Sequence, residues 1–164
     1  MKLTFWEITP ITLFLILIAI IILFADKANI SISFGKLYFS SINGLGSDDV
    51  RLSKRRSLGS KKLRGFEKGK VGPVDGTDHI GGNYATALNF EVNLPNFLPE
   101  NTGADIGFFL DFGNVWGVDY SDTLGESNKI RSTFGLNTSW ISPAGPMSFI
   151  FSQNISPTLH DIYP

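Results

Sequence analysis

From residue 30 onward the chain divides into segments of roughly ten residues in which apolar and polar side chains alternate, separated by clusters of Gly, Pro, Asn and Asp. The segments run Ile30–Ile42, Asn83–Leu94, Asp105–Val115, Lys129–Ile141 and Met147–Ile155. In the second, Tyr84, Thr86, Leu88, Phe90 and Val92 oppose Asn83, Ala85, Ala87, Asn89 and Glu91. In the third, Ile106, Phe108, Leu110 and Phe112 oppose Asp105, Gly107, Phe109, Asp111 and Gly113. In the fourth, Ile130, Phe134, Leu136 and Trp140 oppose Arg131, Thr133, Gly135, Asn137 and Ser139. Period-two alternation predicts strands with one greasy face and one small or polar face. A soluble sandwich also alternates, but its strands average only about 5–6 residues. Segments of this length match strands that cross a membrane, apolar toward lipid and polar toward a lumen. The expected fold is all-β: an antiparallel transmembrane β-barrel of about five strands, too few to close.

The connections alternate in length. Short Pro-bearing turns, Pro95–Gly103 and Ser142–Pro146, take turns with the long polar stretch 43–82 and the loop Trp116–Asn128. Outer-membrane barrels have short periplasmic turns and longer extracellular loops, which places 43–82 and 116–128 outside. Trp116 and Trp140 fall near strand ends, where an aromatic girdle sits. Ahead of the strands, residues 11–24 form an uncharged apolar run, predicting a short apolar N-terminal helix of roughly 21 Å against a ~30 Å hydrocarbon core. It reads as a signal segment, a membrane-inserted helix, or a stretch foreign to the domain behind it. The expected organisation is a leader over 1–29, barrel strands over 30–157 with the long loop 43–82, and a truncated tail over 158–164.

Composition changes this picture in two places. The net charge is −1, but nine of the 14 basic residues lie between Arg51 and Lys70, so the charge is local. There are no cysteines, and His79 and His160 lack metal-ligand spacing, which leaves no disulfide framework and no thiol chemistry. The stretch Lys61–Gly72 lacks the G-K-[ST] ending of a phosphate-binding loop, and no Ser/His/Asp set is visible. Neither an enzyme nor a cofactor is expected. The basic run is short of the interleaved aromatics of a nucleic-acid surface and reads as a solvated loop, one that could meet lipopolysaccharide phosphates.

Four short motifs occur in order: Leu63-Arg64-Gly65-Phe66 in the long loop, Gly81-Gly82-Asn83 at a strand entry, Phe109-Leu110-Asp111-Phe112-Gly113, and Trp140-Ile141-Ser142-Pro143-Ala144-Gly145-Pro146. Each is weak alone. Together, in this order and spacing, they resemble the C-terminal barrel part of the BamA family, the outer-membrane protein assembly factors of the bacterial surface antigen type. The resemblance covers roughly Ile30 to Pro157. It implies insertion and folding of β-barrel clients in the bacterial outer membrane. It also implies three kinds of partner: outer-membrane lipids including lipopolysaccharide, unfolded outer-membrane clients and, in a complete protein, assembly-complex lipoproteins.

Taken alone, Arg64 reads as one more solvated cation. The alternation supplies a sharper reading, because Glu91 and Asp111 fall on lumen-facing positions where lone carboxylates need a partner. The resemblance implies that the loop folds back into the barrel and that Arg64 meets Asp111 and Glu91, a guanidinium fork suiting carboxylates better than an ammonium. Gly65 would permit positive φ or close approach, and Phe66 would anchor the tip by packing; the plain alternative is a turn with an exposed aromatic. Asp111 and Gly113 have a rival reading as a strand-end Asp turn. The periplasmic domains, the earlier strands and the closing strand of such a barrel are not visible, so a truncated fragment is expected. Competing functions are a two-partner secretion or porin-like translocation barrel, and a helix-anchored membrane protein with a small β domain.

Overall fold

A computed structural model of the chain describes residues 31–46, 48–94, 98–99, 102–119 and 129–156. The expected N-terminal helix and the expected tail lie outside these residues. Five long strands form one antiparallel sheet: β1 (Ser31–Ser41), β4 (Tyr84–Leu94), β5 (Ala104–Trp116), β6 (Arg131–Ser142) and β7 (Gly145–Asn154), in that spatial order. A two-residue pair, β2 (Val74–Asp75) and β3 (Asp78–His79), makes a small hairpin inside the long loop. The long strands are 10 to 13 residues each, and their limits fall within two residues of the alternating segments. Asp111 and Gly113 sit in the interior of β5, not in a turn at its end. Among the described residues the sheet is open, with β1 and β7 at its edges.

The turn between β6 and β7 is set by local chemistry. Ser142 pairs with Gly145 across a two-residue connection, Pro143–Ala144, with Gly145 at φ 122°. The Ser142 hydroxyl donates to the Gly145 carbonyl at 2.8 Å and accepts from the Ala144 N–H at 3.2 Å. Proline fixes the first turn residue and the hydroxyl satisfies the tight backbone.

The two faces of the sheet meet different surroundings. Leu37, Phe39, Leu136, Trp140, Met147, Phe149 and Phe151 are exposed large apolar residues of the outer face. A contiguous apolar wall of this extent is out of place in water and is what a strand presents to lipid. Tyr84 and Trp116 stack with centroids 5.7 Å apart at one rim, and Trp140 lies at the level of Ala104 near the other. Along a tilted strand, the distance from Ala104 to Trp116 corresponds to a band about 30 Å tall, close to the apolar height of an outer-membrane barrel.

On the inner face the long loop departs from the solvated state expected of a basic stretch. It leaves β1, crosses the inner wall and returns to the adjacent strand β4. Leu58, Leu63, Phe66 and Val71 from the loop bury against Ala85, Ala87 and Val115, with Tyr38 packed alongside. The physical reason is the floor: Ala85, Ala87 and Gly113 leave room above β4 and β5. A Cβ on Gly113 would come to 3.0 Å from Leu58 and 3.3 Å from Leu63. Burying four apolar side chains offsets the desolvation of a chain rich in cations.

Candidate functional site: the loop seat on the inner wall

Antiparallel register lines up inward-facing residues of neighbouring strands into rows. One row is Asn89, Asp111, Thr133 and Asn154, on β4 to β7 in turn. The next row toward the other end is Glu91, Phe109, Gly135 and Ser152. The loop segment Lys62–Gly65 lies across both.

Arg64 is the centre of the contact and is only 9 % exposed, while Asp111 is fully buried. The guanidinium makes a two-pronged bond to Asp111, Nε to Oδ2 at 2.7 Å and Nη2 to Oδ1 at 2.7 Å. The backbone N–H of Arg64 also donates to Asp111 Oδ2, at 3.1 Å. Nη1 donates to Glu91 Oε2 at 3.2 Å, and the guanidinium plane lies over the Phe109 ring, 3.8 Å from its centroid. One cation faces two carboxylates, and their unequal burial resolves the imbalance. The Glu91 side chain is 32 % exposed, so its charge stays in contact with solvent. Its Oε1 accepts from Asn137 Nδ2 at 2.7 Å. A buried ion pair persists when its remaining hydrogen-bonding capacity is met, and here it is.

Neighbouring contacts tie the same segment to β1, β4 and β7 as well as to β5. Lys62 Nζ sits 3.1 Å from the Tyr38 ring centroid on β1, a cation–π contact. The Lys62 carbonyl accepts from Asn89 Nδ2 of β4 at 2.8 Å, and the Gly65 carbonyl accepts from Asn154 Nδ2 of β7 at 2.9 Å. Gly65 has φ +82°, a region that favours glycine. Phe66 is buried among Leu58, Leu63 and Val71.

The structure thus brings Leu63, Arg64, Gly65, Phe66, Glu91, Asp111 and Gly113 together. Reasoning from sequence did not single out Asn89, Phe109, Gly135, Asn137 or Asn154. The available signal was parity: all five fall on the polar, lumen-facing alternation. Gly135 clears space for the Phe109 ring, which a Cβ would approach to 2.7 Å. Arg131, almost fully buried, bonds Asn114 Oδ1 and donates to the Lys129 carbonyl at 3.1 Å.

A second, looser tether joins the two long connections. The Val50 N–H donates to Asp119 Oδ2 at 2.9 Å, and Arg55 Nη2 reaches Asp119 Oδ1 at 3.4 Å. The Val50 N–H, helped by hydrogen bonding from Asn83 and the charge of Arg55, holds the Asp119 carboxyl below its ordinary range against the opposing effect of burial.

An apolar outer face, a polar inner wall and an arginine-pinned loop lying across it define a membrane-barrel wall with an inward-folded loop. The family model of the Omp85 superfamily domain matches residues 20–158, and the chain belongs to that superfamily, whose members sit in outer membranes, bacterial or mitochondrial. It is similar to the outer membrane protein assembly factor BamA of Neorickettsia risticii, 32 % identical over 108 residues, which is 64 % of this chain and 14 % of that protein. A SAM50-like protein of Schizosaccharomyces pombe is 28 % identical over 130 residues, 74 % of this chain and 27 % of that protein. The crystal structure of Haemophilus ducreyi BamA lacking POTRA domains 1–3 superposes with a TM-score of 0.67 at 25 % identity, covering 79 % of this chain and 29 % of that one. The chain therefore spans less than a third of the length of these relatives.

Proposed function

We propose that this chain works as the C-terminal wall of a bacterial outer-membrane barrel that inserts and folds other β-barrel proteins. The observation that carries the reading is the seat of Arg64 on Asp111, Glu91 and Phe109, which fixes the long loop against the inner wall at β4 and β5. Leu63, Gly65 and Phe66 place the guanidinium, Glu91 and Asp111 receive it, and Gly113 clears the floor beneath Leu63.

No bond of a client is made or broken in this reading, so no catalytic side chain or cofactor is required. What a barrel wall supplies is order: strands held in one register by a lumen plug, in a membrane whose interior leaves unpaired backbone groups unsatisfied until they find a strand. The partners are unfolded outer-membrane proteins, the surrounding lipid including lipopolysaccharide, and the lipoproteins of an assembly complex; nucleic acid has no part in it. The greater identity to the bacterial relative than to the fungal one favours a bacterial outer membrane.

The test is a chimaera in which residues 31–156 replace the matching segment of Haemophilus ducreyi BamA, expressed in cells depleted of their own assembly factor. The chimaera is expected to restore outer-membrane levels of client barrels, and its Arg64→Ala form is expected not to. A chimaera that folds, seen by heat-modifiable gel migration, yet restores no client would overturn the proposal. A translocation barrel would instead export a secreted substrate while leaving client barrels depleted.

A further inference from the structure

The contacts of Arg64 end on β4 and β5, but the loop continues two strands further. Gly65 occupies a socket whose three walls are Thr133 Oγ1, Ser152 Oγ and Asn154 Oδ1. A Cβ at Gly65 would come within 2.9, 2.9 and 2.6 Å of them, respectively. Asn154 Nδ2 donates to the Gly65 carbonyl at 2.9 Å, which fixes the orientation of its amide. Its Oδ1 is then buried with no hydrogen-bond partner and faces the place that a Cβ on Gly65 would take. An amide oxygen in that position rejects any side chain at residue 65 on steric grounds, so Asn154 reads the glycine as well as its carbonyl.

At the opposite end of the same row, Asn89 Nδ2 donates to the Lys62 carbonyl at 2.8 Å. Two asparagines on one cross-strand row therefore grip the backbone of the loop on either side of Arg64. Among the described residues β7 pairs with β6 alone, and most of its side chains are exposed. Asn154, at the loop end of β7, joins that strand to a segment pinned elsewhere.

We propose that Asn154 is a positioning residue that couples the seating of Arg64 to the hold on β7. The loop segment, pinned on Asp111, keeps the loop-side end of β7 against β6 through the Asn154–Gly65 bond, and unseating Arg64 releases β7. This coupling is a property of the wall and does not depend on which proteins the barrel assembles.

Amide hydrogen exchange on the full-length barrel in lipid bilayers tests it. Asn154→Asp keeps the shape and replaces the donor by a carboxylate oxygen, which also brings a negative charge to the Gly65 carbonyl. It is expected to speed exchange of Phe149–Gln153 and of Phe66 about tenfold, the effect of losing one buried hydrogen bond, while Leu88–Val92 of β4 is unchanged. Arg64→Ala is expected to speed the same β7 amides, and adding Asn154→Asp to it is expected to give no further increase, since both break one connection. Unchanged β7 exchange in Asn154→Asp overturns the proposal, as do effects of the two substitutions that simply add. Gly65→Ala, which fills the socket but leaves Arg64 intact, provides an independent variant: faster β7 exchange supports the coupling, and wild-type exchange overturns it.

Discussion

The long loop carries two arginine–aspartate contacts, and they differ in nearly everything except residue type. Arg64 meets a fully buried Asp111 through a fork of two 2.7 Å bonds, stacks on Phe109 and has Glu91 as a second acceptor. Arg55 reaches Asp119 at 3.4 Å, and the Asp119 side chain is 29 % exposed. The first is formed on a wall whose register is set by strand pairing, which fixes the acceptors relative to one another. The second joins two loops and relies mainly on a backbone N–H, that of Val50. Both guanidinium groups are buried, and the contacts differ at the carboxylate: Asp111 is sealed in the wall, whereas Asp119 is shared with solvent, which weakens its pull.

Breaking the buried contact is expected to have the largest effect. Arg64→Ala leaves Asp111 charged and buried with no cation, a loss of about 3–5 kcal/mol, read as a fall in the urea midpoint of the folded barrel in detergent. Arg64→Lys keeps the charge but not the fork or the ring stacking. It is expected to lose about 2 kcal/mol and to impair assembly activity; wild-type activity from it would show that charge alone suffices. Gly135→Ala acts on the seat without touching an ion. The new methyl runs into Phe109 and the Phe151 carbonyl, with an expected cost of about 1–3 kcal/mol and a shift of the Phe109 ring resonances.

Asp119→Asn is expected to change stability by less than about 1 kcal/mol. Its signature is in pH dependence instead. Because the Asp119 carboxyl is held below its ordinary range, the clasp contributes at and above the ordinary carboxylate pKa of about 3.9. That contribution is lost as pH falls through the lowered value in the folded protein. Limited proteolysis of the segment around Val50 is expected to become faster with acidification in wild type and to be insensitive to it in Asp119→Asn. Equal sensitivity in both would assign the change to another group.

Much of the fold was legible because β-structure has a period of two. Alternation alone placed Glu91, Asp111 and Gly113 on one face and Leu88, Leu110 and Phe112 on the other, and the strand lengths pointed to lipid. The Pro143–Ala144 turn was readable from its residues. The loop's seat was implied only by the resemblance, since by its own pattern a stretch with nine basic residues between Arg51 and Lys70 looks solvated until its four apolar residues are given a floor.

Register is the step that residues along one chain segment cannot specify. The rows that join Asn89 to Asp111, Thr133 and Asn154 exist only once four strands have paired, bringing residues 65 positions apart onto one line. The sequence by itself determined which side chains face inward, through alternation that a one-residue slip would invert. Only the tertiary structure decided which inward residues are neighbours, and so where one guanidinium and one glycine could be received.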